Sequence, residues 1–298
     1  MKQIKTLVVM IAMLFPLAVP AAVMARGIDP VVSTEWLEKN LMKPQLVIVD
    51  IRKVEEYKAG HIPGAINIFY NIWAPGKGDM QNELPAADDL EDTLGENGIG
   101  ADSLVVIAGK TDAPPDRVNT TRVAMTLIYA GVVNVAVLDG GITKWGAENR
   151  KVSTEVVKAK PKEYKGKVNK GILITKDELM GKLGKVTVVD TREPDFYNGT
   201  KKLDFVARPG HIKGAVNLPT MSQVFNPDGT YKNKADLLAM AEKAVGKDLG
   251  KEIVIYCDSG RVASAWWYLL RESFGYRDVK LYDGSAQEWA KDPTAPQE

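Results

Sequence analysis

Cysteine is almost absent: the 298 residues hold one, Cys257. A lone cysteine excludes an internal disulfide and a Cys-x-x-Cys redox pair. It is either an inert buried thiol or a reactive one. Histidine is nearly as scarce, with two residues. No cluster has metal-ligand spacing, so neither a metal nor another cofactor is expected. A stop-transfer pattern is missing too. Lys2 and Lys5 precede an apolar run, Thr6 to Val19, that is too short to span a bilayer comfortably. Val23-Met24-Ala25 has the small-x-small form of a cleavage site. Residues 1–25 therefore read as a secretory signal peptide and Arg26 as the start of a periplasmic or secreted chain. An uncleaved N-terminal anchor is the alternative. Without the leader, 37 of the 39 basic residues remain against 38 acidic ones. That balance argues against nucleic acid or an anionic membrane surface as a partner.

What is present is written twice. Asp50-Ile51-Arg52 matches Asp190-Thr191-Arg192 at an offset of 140 residues. Gly60-His61-Ile62-Pro63-Gly64-Ala65 matches Gly210-His211-Ile212-Lys213-Gly214-Ala215 at 150. Asp139-Gly140-Gly141 with Trp145 matches Asp283-Gly284-Ser285 with Trp289 at 144. Three blocks in one order indicate a tandem domain. The growing offset puts a ten-residue insertion between Arg192 and Gly210. Short apolar runs predict strands at Leu46–Asp50, Ala65–Ile68, Leu104–Ala108 and Val133–Leu138. Their counterparts are Val186–Asp190, Ala215–Leu218, Ile253–Tyr256 and Val279–Tyr282. Helical patterns fall between them, near Thr34–Leu41, Ala86–Leu94, Thr121–Ala130 and Thr143–Glu148 in the first copy, with Ser33 and Thr175 as N-caps. The fold class is α/β: two domains, each a mainly parallel sheet with helices on both faces. The predicted boundaries are 26–148 and 170–298. The Lys-rich stretch 149–169, which holds Pro161, reads as the linker.

Cys257 follows the predicted strand Ile253–Tyr256 and precedes an apolar helical run from Ala263. Ligands of open α/β sheets bind at that carboxyl end. The loop Asp258-Ser259-Gly260-Arg261-Val262 is the candidate substrate cradle, able to turn backbone N–H groups toward one point. Gly260 permits the positive φ that a tight loop needs. A thiol there is expected to ionise below its free value of about 8.5.

In these motifs the chain resembles the rhodanese family: Asp-x-Arg with Gly-His-Ile-x-Gly-Ala, Asp-Gly-Gly-x-x-x-Trp, and Cys-x-x-Gly at 257–260. The resemblance covers nearly all of the chain past residue 25. It implies a sulfurtransferase in which Cys257 takes a sulfane sulfur, stores it as a persulfide and passes it to a thiophilic acceptor. The donor is then thiosulfate, a polysulfide or a persulfide, and the acceptor a thiol, cyanide or a protein. Two-domain members usually have an inactive first copy that walls the cleft. Here Gly109 aligns with Cys257. The loop from Gly109 to Asn119 is four residues longer than its partner, and Arg117 is its candidate for a substrate or partner contact. Asp190 and Arg192, like Asp50 and Arg52, are expected to tie strand ends to neighbouring loops. His61 and His211 are expected to shape turns, and Trp266 and Trp267 to pack in the core or the domain interface. Two-domain members usually carry a second arginine where this chain has Phe196, and Asp258 cancels Arg261 in the formal charge of the loop. The loop is not the Cys-Gly-Ser/Thr-Gly of mercaptopyruvate enzymes, and residues 66–85 lack the histidine those enzymes use. A phosphatase on the same fold needs Cys-x5-Arg, but the sixth residue after Cys257 is Ala263. A non-catalytic sulfur or selenium carrier, or a binding module, is the other alternative.

Overall fold

The computed structural model describes residues 26–298, so the signal-peptide expectation lies outside the described residues. The first copy runs β1 (Val31–Val32), α1 (Thr34–Asn40), β2 (Leu46–Asp50), α2 (Val54–Ala59), β3 (Ile66–Asn67), α3 (Tyr70–Trp73), α4 (Ala87–Glu96), β4 (Leu104–Ala108), α5 (Asn119–Ala130), β5 (Asn134–Leu138) and α6 (Gly141–Ala147). The second runs α7 (Lys176–Lys182), β6 (Thr187–Asp190), α8 (Pro194–Tyr197), β7 (Val216–Asn217), α9 (Lys234–Val245), β8 (Ile253–Tyr256), α10 (Ala263–Tyr268), β9 (Val279–Leu281) and α11 (Ser285–Trp289). Both predicted N-caps are in place. Ser33 Oγ accepts from the Trp36 N–H at 3.0 Å. Thr175 forms a capping box with Glu178, each residue's side chain accepting from the other's backbone N–H.

All strand ladders are parallel, in the orders β1-β5-β4-β2-β3 and β7-β6-β8-β9. Successive side chains of a strand point to opposite faces, and the packing follows that period. Val105 and Ile107 of β4 and Ile253 and Ile255 of β8 enter one core shared by both copies. Their alternates enter separate cores: Leu104, Val106 and Ala108 with Leu37, Tyr57 and Trp145, and Val254 and Tyr256 with Leu179 and Trp289. The shared core holds α5 against α10, where Thr121 Oγ1 and Ser264 Oγ meet at 2.9 Å. Trp266 and Trp267 are fully buried there, their ring N–H groups donating to the carbonyls of Pro219 and Val279.

The expected insertion between Arg192 and Gly210 is a loop after α8. Its Val206 packs on Ala286 and Ala290, and Arg208 donates to the carbonyls of Ala290 and Asp292. Residues 150–169 form no helix or strand, yet they lie along the first copy. Ser153 pairs with His61, the Lys162 N–H donates to the Gly95 carbonyl, and Tyr164 is buried with its hydroxyl on the Ala130 carbonyl.

Candidate active site

The second sheet is built around β8, whose four residues are all buried. A strand covered on both faces reads as a continuous apolar run, and Ile253-Val254-Ile255-Tyr256 is one. The chain leaves this strand as Cys257 and turns through Asp258–Val262 into α10. Register fixes the equivalent point in the first copy. Asp190 pairs with Tyr256, and Asp50 pairs with Ala108. Gly109 therefore occupies the place of Cys257.

The loop is wound around a buried serine. Ser285 Oγ accepts from the N–H groups of Cys257 and Gly260, at 3.2 and 2.9 Å, and donates to the Tyr282 carbonyl. Ser285 sits at φ +53° and Gly260 at +72°. The backbone N–H groups of Ala263, Ser259 and Val262 lie on the sulfur's side of the loop and favour its charged form. The Gly260 N–H, expected in that cradle, faces Ser285 instead. The carbonyls of Cys257 and Asp258 accept from the N–H groups of Ala286 and Gln287. A second correction concerns the thiol, which was expected to be acidic. Burial pushes it above its ordinary value, the Asp258 charge adds to the push, and the three N–H groups oppose them.

Asp190 and Arg192 brace the loop from behind, as expected. Arg192 forks onto Asp190 at 2.6 and 3.0 Å and donates to the Gly210 carbonyl at 2.8 Å. The Tyr256 hydroxyl donates to the same aspartate at 2.7 Å. Arg192 Nη1 lies 3.4 Å from Asp258. Asp258 is thus opposed by Arg192, not by Arg261 as its neighbourhood in the chain suggested. Burial still pushes its carboxyl up to about 6. The two histidines have the structural roles expected of them. His61 stacks on Tyr57 and bonds its carbonyl, and His211 does the same with Tyr197.

Four residues essential to this geometry were not singled out from the sequence, and three come from the first copy. Arg122 of α5, fully buried, forks onto Asp283 of the second copy and also donates to the Asn82 carbonyl. A Cβ at Gly260 would collide with this pair, so only glycine fits beneath it. Asn82 Nδ2 donates to Ser259 Oγ at 3.0 Å, and Tyr70 donates its hydroxyl to Asn82 Oδ1 at 2.9 Å. The fourth is Ser285. Arg122 did leave a signal: the one charge on a helix that is otherwise uncharged and largely apolar needs a partner if buried. Tyr70 and Asn82 left none. Arg117 donates to the carbonyls of Asn226 and Pro227 of the second copy, so its loop is an interdomain contact.

Comparison with known proteins gives the family. The Rhodanese-like domain model matches residues 33–148 and 175–292. The chain belongs to that family, as a tandem of two such domains. It is 33% identical over 288 residues to a Mycolicibacterium smegmatis protein provisionally named thiosulfate sulfurtransferase, covering 92% of this chain and 98% of that one. It is also 33% identical over 278 residues to the sulfur carrier protein TtuD of Thermus thermophilus, covering 88% and 93%. Among solved structures, YnjE superposes with a TM-score of 0.79 at 27% identity, over 90% of this chain and 68% of that one. EanB, in a structure titled as a cysteine persulfide with ergothioneine, superposes with a TM-score of 0.79 at 24% identity over 90% and 70%, which is a likeness of fold. The chain is a sulfurtransferase, and its sequence holds one cysteine.

Proposed function

We propose that Cys257 accepts sulfur from a small anionic sulfane donor, thiosulfate foremost, and delivers it to a thiol. One observation carries this reading. Asp258 is drawn aside by Arg192 at 3.4 Å, and the backbone N–H groups of Ala263, Ser259 and Val262 favour negative charge on the sulfur. Among the described residues Arg261 makes no ion pair, so its charge is free for an incoming anion. In the first step the Cys257 thiolate attacks the outer sulfur of thiosulfate. A Cys257–sulfur bond forms, the donor S–S bond breaks, and sulfite leaves with the electron pair. In the second an acceptor thiolate attacks the outer sulfur, and the electron pair returns to Cys257 Sγ. Ser259, Gly260 and Val262 shape the cradle, and Asp190 and Arg192 hold its back. The names borne by relatives, thiosulfate sulfurtransferase and sulfur carrier, support the class of donor and acceptor. Cyanide or a protein thiolate would serve the second step equally well. We place the protein in the periplasm or outside the cell, from its first 25 residues.

The test is mass spectrometry of the protein after separate exposure to thiosulfate, a polysulfide and mercaptopyruvate. Thiosulfate should add one sulfur atom to the wild type and none to Cys257→Ser. No addition with thiosulfate would end this reading. The relative named as a carrier supports a second one, storage without turnover. Multiple turnovers with a small thiol in excess argue for the enzyme, and a single equivalent released only to a protein argues for the carrier.

A further inference from the structure

Residues of the first copy reach the catalytic loop of the second. Cys257 is fully buried. On the loop side the N–H groups of Ala263, Ser259 and Val262 favour charge on its sulfur. The first copy covers the loop through a short arm, which begins with Tyr70 at the start of α3 and ends at Asn82. Asn82 bridges the Tyr70 hydroxyl, at 2.9 Å, and Ser259 Oγ, at 3.0 Å. It is held at φ +56°, a conformation uncommon for a residue with a side chain, and its carbonyl accepts from buried Arg122. The Tyr70 ring packs on the shared core to which Cys257 belongs. Its hydroxyl has one hydrogen-bond partner among the described residues, Asn82. Cys257, Arg261, Arg122 and Asp283 all act on its charge, and burial pushes the phenol up to about 12. At neutral pH it is therefore a neutral O–H donor beside the active loop.

We propose that Tyr70, from the copy without a cysteine, is a catalytic residue whose O–H turns from Asn82 to the outer sulfur of the Cys257 persulfide. The assignment rests on the persulfide reading above. The outer sulfur of a persulfide carries the negative charge, and a hydrogen bond to a charged atom is stronger than one to a neutral amide. No proton leaves Tyr70. When sulfur is loaded, the Sγ–S bond forms and the donor's remainder departs. When the acceptor takes the outer sulfur, that bond breaks, the electron pair returns to Sγ, and the O–H returns to Asn82. The cysteine-less copy thus stabilises the intermediate.

Tyr70→Phe removes the hydroxyl and keeps the ring. It should lower the fraction of protein loaded at limiting thiosulfate roughly tenfold in equilibrium constant, the scale of one hydrogen bond to a charged group. It should also raise the pH at which the bound persulfide ionises, read from its near-ultraviolet absorbance. A purely structural hydroxyl would move neither. Asn82→Gly supplies the comparison, since it cuts the bridge to Ser259 while glycine accepts the positive φ. It should lower the melting temperature and, by freeing the hydroxyl from its competing acceptor, leave the pH of persulfide ionisation at or below that of the wild type. Wild-type loading and titration in Tyr70→Phe would overturn the proposal. So would an Asn82→Gly protein with the same shift, because the hydroxyl would then act only by bracing the arm. If the wild type itself takes up no sulfur, the persulfide reading fails first and this assignment goes with it.

Discussion

The two copies share one plan and differ where the chain leaves the central strand. In the second copy that point is Cys257, buried, with its loop wrapped around Ser285. In the first it is Gly109, and Gly141 stands in the place of Ser285. A Cβ at Gly141 would strike the Gly109 carbonyl, so the first copy has no room for the serine that organises the loop. Instead a cavity of about 320 Å³ lies at the strand ends, lined by Arg52, Glu56, Tyr70, Lys110 and Asn119 among others. The aspartates of the second signature show a reciprocal pattern. Asp283 is held by Arg122 of the first copy, and Asp139 accepts from the Tyr231 N–H of the second. Each copy thus reaches over the loop of the other. The first copy has lost the chemistry and kept the embrace, so its sequence is constrained by a site it does not itself contain.

The sharpest way to break this comparison is to move the thiol. The double variant Cys257→Ser/Gly109→Cys should show no sulfur transfer, with activity below a thousandth of wild type. A side chain at 109 meets Ile51 and Thr120 and has no serine-organised loop around it. Any measurable thiosulfate turnover would mean that position, not surroundings, makes the nucleophile. The next largest effect concerns the interface. Arg122→Met leaves Asp283 without its buried partner and should cost about 3–5 kcal/mol in equilibrium denaturation. Adding Asp283→Leu should return part of that loss. A loss below about 1 kcal/mol for the single variant would show the pair to be dispensable.

Charge inside the loop should give smaller effects. Arg261→Ala should lower kcat/KM for thiosulfate roughly ten- to a hundredfold, the scale of about 1–3 kcal/mol for one charged hydrogen bond. Transfer from a small organic persulfide should fall much less. Equal losses for the two donors would place Arg261 outside anion binding. The smallest effect is expected at Asp258. Its charge helps to raise the thiol, so Asp258→Asn should speed alkylation of Cys257 several-fold at neutral pH. The stability consequence has a defined sign. Burial raises this carboxyl from 3.8 to about 6. The folded state therefore binds the extra proton, and stability falls as pH rises from about 4 to 6. The asparagine variant should gain on the wild type across that window in melting curves, and a gap independent of pH would contradict it.

Much of the fold was legible because burial writes itself into strands. β2, β4 and β8 are sandwiched between cores, and all three read correctly to the residue from their apolar runs. The two N-caps were legible for the same local reason. The two-residue β1 and the short α3 carry too little pattern to be seen. The nucleophile was legible because strand, turn and cysteine are contiguous in the chain. Its weak acidity was not, because what raises its pKa is burial in the packed core, and that is invisible within the loop. Tyr70, Asn82 and Arg122 lie more than a hundred residues from Cys257, so only the packing of one copy on the other gives them meaning.

The shared core also bears on synthesis. Through Val123, Ala124 and Leu127, α5 belongs to a cluster that also takes in Trp266, Leu270 and Leu281 of the second copy. A nascent chain that has made α5 must wait for α10 to emerge, on the order of ten seconds at about 5–20 residues per second. For that interval the first half exposes an apolar surface and a buried-type guanidinium without its aspartate. Holding factors that bind unfinished chains should find their target there, and a truncated product ending before α9 should aggregate rather than persist as a free domain.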